Sequence, residues 1–135
     1  MTDAKKKERI KNILSTDGLN DYSDSDLKSL IKHVDTHLYF LGKQYKIQMS
    51  WDDALFSWFE NVYSMIVREI NIPFVEKLFP DKRLTEVYLG LSDTWYYLTL
   101  ELDKEVDVKI AFRKYINLHS RANTILKFIF YIFYM

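Results

Sequence analysis

Apolar residues recur at spacings of three and four along most of the chain, the period of helices that bury one face. Asp3 to Leu14 carries Ile10, Ile13 and Leu14 among five basic residues, which predicts a short surface helix closed by the turn-forming run Ser15, Thr16, Asp17, Gly18. Ser23 is placed to cap a second helix, with Asp24 and Asp26 where the helix dipole favours negative charge. Its stripe is Leu27, Leu30, Ile31, Val34, Leu38 and Leu41, and Gly42 predicts its end. Ser50 caps a third helix whose stripe runs from Ala54 through Leu55, Trp58, Phe59, Val62, Tyr63, Ile66 and Val67 to Ile70. Pro73 stops it for want of an amide, and a short helical turn to Leu78 is bounded by Pro80. Leu84, Val87, Tyr88, Leu91, Trp95, Leu98 and Leu102 define a fourth helix, and Asp107 opens a fifth with Ala111, Phe112, Tyr115 and Ile116.

The last eleven residues, Ile125 to Met135, are apolar or aromatic except for Lys127. Eleven residues are too few to span a bilayer, which takes about 20 in a helix. The segment is rich enough in β-branched and aromatic residues that helix and strand both remain open, and either needs a burying surface.

Composition narrows the class. At 135 residues, 48% hydrophobic and 16% aromatic, the chain has the makings of one packed domain, whereas 3 Gly and 2 Pro are too few for a many-turned β-sandwich. The expectation is a single all-α domain over residues 1–135, a bundle of five or six helices around an aromatic core, with the apolar tail as a last helix or strand. The absence of cysteine excludes disulfide frameworks and thiolate chemistry. The lysine-rich start leads into no apolar run, so a cytoplasmic location without a secretory signal is expected.

Charge balances overall but not locally. Residues 1–107 hold 14 basic and 19 acidic groups, and residues 108–135 hold five basic groups (Lys109, Arg113, Lys114, Arg121 and Lys127) with no acid. A basic helix followed by an aromatic tail either seals the chain's own core, the basic end lying near its acidic body, or meets a protein partner or a second copy, for which Arg113, Lys114, Arg121, Phe128, Phe130, Tyr131 and Phe133 are the candidate surface. Nucleic acid is a weaker partner for a chain with no net charge, and an anionic membrane surface is a further option for the basic helix and tail.

Candidate chemistry is sparse. His33 and His37 lie four apart on one helical face, a spacing that lets two rings reach one metal ion. Asp35 projects about 200° away from His33, leaving Glu60 or His119 to arrive from other helices. With Tyr63, Glu86 and Tyr88, the residues His33, His37 and Glu60 make a candidate polar cluster for a metal or small ligand, or for locking the packing. Trp51, Trp58, Trp95, Tyr96 and Tyr97 fall on or beside core stripes and read as packing rather than a base-stacking platform. The carboxylate pairs Asp52 with Asp53 and Glu101 with Asp103 are accounted for by helix caps or a solvated face. No phosphate-binding glycine loop, Cys/His pair or Gly-x-Ser-x-Gly elbow is present, so the chain reads as non-catalytic, with no cofactor implied. A hydrolase built on His33, His37 and Glu60 is the enzymatic alternative.

A set of short strings nevertheless resembles a known family. His33 and His37 followed by Tyr39-Phe40-Leu41, Ser50-Trp51 with Ala54, Trp58-Phe59 with Val62-Tyr63, Phe79-Pro80, and Glu86 with Tyr88-Leu89 look like the helical C-terminal module of bacterial ParB-like proteins. Those proteins carry a ParB/sulfiredoxin-like domain ahead of this module. The similarity continues through Trp95 to Leu98, Leu102, Val106, Ala111, Phe112 and Ser120, covering residues 22–120 and leaving 1–21 as a leading helix and turn and 121–135 as the tail. The chain departs from the pattern at Met65, where relatives tend to have proline, at Lys82 for an arginine, at Glu86 for another acidic residue, and at Thr94 and Trp95 for a histidine and an arginine. No ParB-like domain is read in these 135 residues, so the resemblance implies ancestry and a helical fold, and a nucleic-acid-associated role only as an alternative.

Overall fold

Five helices begin at a residue whose side chain accepts one of their free amides. The computed structural model, which describes residues 1–15, 19, 21–104 and 106–135, shows the side chain of Thr2 accepting from the Lys5 amide at the start of α1 (Asp3–Leu14). Ser23 opens α2 (Asp24–Tyr45) with a reciprocal box: its hydroxyl accepts from the Asp26 amide at 3.0 Å and its own amide donates to Asp26 Oδ2 at 2.9 Å. Ser50 opens α3 (Trp51–Trp58), Asp107 opens α7 (Val108–His119) and Asn123 opens α8 (Thr124–Phe133), each side chain accepting from one first-turn amide. Between them lie α4 (Ser64–Ile70), α5 (Val75–Leu78) and α6 (Leu84–Leu102), and no strand occurs among the described residues.

One open expectation is decided and three change. The tail is helical, because Asn123 caps it and Phe130 is the one side chain of α8 that is fully buried. The described residues form eight α-helical segments rather than five or six helices, partly because the third pattern is interrupted and partly because the two prolines isolate α5. Gly42 does not end α2; the helix runs on to Tyr45, and Lys46 closes it in the left-handed region (φ 55°) with its amide on the Gly42 carbonyl. Leu102 ends its stripe about half exposed, one residue before Asp103, which also takes a left-handed turn (φ 51°). Of the turn expected at 15–18, Ser15 is a turn residue and the other three lie outside the described residues.

The interruption is a π-helical turn, Phe59–Tyr63, directly after α3. The Phe59 carbonyl accepts from the amide of Ser64, five residues on, and from its hydroxyl at 2.8 Å. Residues five apart on an α-helix point about 140° away from each other. The wider turn brings Trp58 and Tyr63 round together, their rings 5.1 Å apart and both fully buried, with Phe59 stacked on Tyr63.

Two units divide the chain by contact, Met1–Ser64 and Met65–Met135. In the first, α1 packs along α2 with Ile10 and Leu14 buried, and three ion pairs set its position: Lys6 with Asp35, Lys7 with Asp24 and Arg9 with Asp52. Exposed pairs of this kind contribute about 0–1 kcal/mol each, so apolar burial is the larger hold and the ion pairs fix register. In the second unit α6 packs along α7 and α5 meets α8. Phe74, Phe112, Phe130 and Tyr134 form its aromatic cluster, with ring centroids 5.4–5.8 Å apart. Ser120 ties the end of α7 to α5 by donating to the Leu78 carbonyl at 2.6 Å.

Candidate functional site

Helix α7 carries two stripes. Val108, Ala111, Phe112, Tyr115 and Ile116 are buried. On the opposite face, about 200° round the helix, Ile110, Arg113, Lys114, Asn117 and Leu118 repeat the same helical spacing and line an open groove of about 410 Å³. Ile110 is 60% and Leu118 65% exposed. The cations between them are held by aromatic rings from the neighbouring helices. The Arg113 guanidinium lies 4.8 Å from the centroid of Tyr131 on α8, and Lys114 Nζ lies 5.8 Å from that of Tyr97 on α6. Tyr131 also donates its hydroxyl to Asn117 Oδ1 at 2.6 Å, and burial pushes its pKa up against the opposing influence of Arg113.

Helix α8 extends the exposed surface. Ile125, Phe128, Ile132 and Phe133 are 56–75% exposed, the first three at spacings of three and four. Of the seven residues expected at the partner surface, Arg113, Lys114, Arg121, Phe128 and Phe133 are exposed and Tyr131 is half-buried. Phe130 is corrected: it is 1% exposed and belongs to the core, stacked on Phe74 and Tyr134. Sequence reasoning missed Ile110, Asn117, Leu118 and Tyr97. The signal for the first three was their helical spacing with Arg113 and Lys114, two residues out of step with the core stripe.

The polar cluster falls in both units. His33, His37, Glu60 and Tyr63 are in the first, Glu86 and Tyr88 in the second. Glu60 is exposed, and Glu86 accepts from the Arg83 amide and Nε, both at 3.1 Å, at the start of α6. Asp35 is committed to Lys6 Nζ and to Trp51 Nε1, at 3.0 and 2.8 Å. His33 is buried, and His37 Nε2 lies 2.9 Å from Ser57 Oγ, which also accepts from Asn61 Nδ2 at 3.3 Å. Tyr63 shares a 2.8 Å hydrogen bond with Tyr22, while Trp58 Nε1 is buried with no hydrogen-bond partner among the described residues. Among the described residues no three His, Asp or Glu side chains converge as donors to a metal ion.

Burial holds His37 below its ordinary value of 6.5. Below that pH the unfolded chain takes up a proton that the folded chain resists, so stability falls as pH drops through this region. Asp24, held below 3.8 by Lys7, acts only in stronger acid. Thermal melts are therefore expected to show lower stability at about pH 5.5 than at about pH 7.5, and His37→Gln to lessen the difference. An equal pH dependence in parent and variant would assign it elsewhere.

Family models, curated proteins and solved structures were each compared with the chain, and none matches. No helix among the described residues is long and apolar enough to cross a membrane.

Proposed function

We propose that the chain is a non-catalytic interaction module that binds a protein partner through the α7–α8 face of its second unit. The observation that carries this reading is α8 itself, where only Phe130 is fully buried and Ile125, Phe128, Ile132 and Phe133 stay largely exposed. Apolar patches of this kind on folded proteins usually mark interfaces, and aromatic and arginine side chains are enriched in them. The resemblance to the helical module of ParB-like proteins is compatible with an accessory role beside another protein.

Site-specific photo-crosslinking tests the proposal. A photoreactive phenylalanine analogue in place of Phe128 is expected to give a covalent adduct with a protein in cells, and in place of the buried Phe112 to give none. Adducts with lipid alone, or no adduct at residue 128, would remove the reading. Self-association is the second form of the proposal, and light scattering of the purified chain separates a dimer from a monomer. An accessory nucleic-acid role draws on the five cations without an acid in residues 108–135, and requires binding that falls steeply with added salt.

A further inference from the structure

We infer that the α7 groove takes an acidic amphipathic helix of a partner protein, an assignment that rests on the interaction role above and names the partner's chemistry. The groove follows one helix face, Ile110 and Leu118 at its ends and Arg113 and Lys114 between them. The end residues are eight apart, about 12 Å along the helix axis. A partner helix with apolar side chains about two turns apart, and carboxylates between them, meets apolar ends and cationic centre together.

The cations are prepared for this. Neither Arg113 nor Lys114 has a carboxylate partner among the described residues, and residues 108–135 contain no acid. Tyr131 and Tyr97 restrict where the two heads sit, which lowers the ordering cost of a charged contact. The same observations discriminate among occupants. In a symmetric pairing of two copies through this face, cations would meet cations. A polynucleotide would leave Ile110 and Leu118 without apolar partners. A bilayer surface is broad and does not match a groove along one helix.

The test uses the full chain and a fluorescent helical peptide of about 18 residues, with two leucines one heptad apart and glutamates three and four residues after the first leucine. Fluorescence anisotropy is expected to show saturable binding that weakens about tenfold or more when lysines replace those glutamates. Arg113→Glu with Lys114→Glu should weaken binding of the glutamate peptide to a similar degree. Should that double variant misfold, Leu118→Ser is read instead and is also expected to weaken binding. Absence of saturable binding, equal affinity for the glutamate and lysine peptides, or binding only to phosphatidylserine-containing vesicles would each overturn the inference. A protein adduct at residue 128 together with failure of the peptide removes this inference alone, whereas failure of both removes the interaction role as well.

Discussion

Phe130→Ala is expected to destabilise the second unit by about 3–5 kcal/mol, a large part of the roughly 5–15 kcal/mol that holds a typical domain folded. Phe130 is 1% exposed, stacks at 5.8 Å on Phe74 of the α4–α5 connection and at 5.4 Å on Tyr134, and meets Phe112 of α7 edge-on at 5.6 Å. Truncation leaves a cavity ringed by aromatic side chains, each fixed by another neighbour, so little of the space can be refilled by relaxation. The measurement is a thermal or denaturant melt, with a fall in melting temperature of about 10 °C or more. Phe128→Ala and Phe133→Ala, one on either side in sequence, are expected to change stability by only about 0.5 kcal/mol or less while reducing the photo-crosslinked adduct. A Phe130→Ala protein that melts with its parent would show that α8 is not part of the core.

Gly90→Ala comes next, with an expected net loss of about 1–3 kcal/mol. Alanine is the better helix former by about 1 kcal/mol, so on local propensity alone this substitution within α6 should stabilise. Packing reverses the sign. A Cβ at residue 90 would lie 2.4 Å from the Tyr115 hydroxyl oxygen and 2.6 Å from two of its ring carbons. Tyr115 cannot swing aside freely: it stacks on Phe79 at 5.2 Å, lies 4.9 Å from His119, and is 3% exposed, with burial pushing its hydroxyl pKa up to about 12. Adding Tyr115→Leu should recover part of the penalty, so the two changes together cost less than their sum. A Gly90→Ala melt at or above the parent's would mean that α6 and α7 can separate without loss.

These two residues show where sequence reading stops. The apolar period placed α1 and α6 at the bounds the structure has, and single capping residues placed the starts of α2, α3 and α7, because such signals act within one turn of the chain. The π turn at Phe59–Tyr63 left no such mark: the stripe through Trp58 and Tyr63 reads as continuous α-helix until the packing of those two rings shows which register is kept. Likewise Lys46 closes α2 although Gly42 was the better local stop, since a few more helical residues cost little once the helix is formed.

The candidate surface divides in the same way. Composition and order were enough to show an all-helical chain and a basic, acid-free stretch ending in aromatic residues. Those properties are sums over residues or repeats along one helix, and they survive without knowledge of neighbours. Which aromatic residue of the tail is core and which is surface depends on what other segments bring against α8, Phe74 and Phe112 among them, so Phe130 and Phe128 are alike in sequence and opposite in place. The setting of Arg113 and Lys114 is likewise tertiary, because Tyr97 arrives from α6 and Tyr131 from α8. Local patterning determined the helices and their charge, and packing between distant segments decided which faces were left open to a partner.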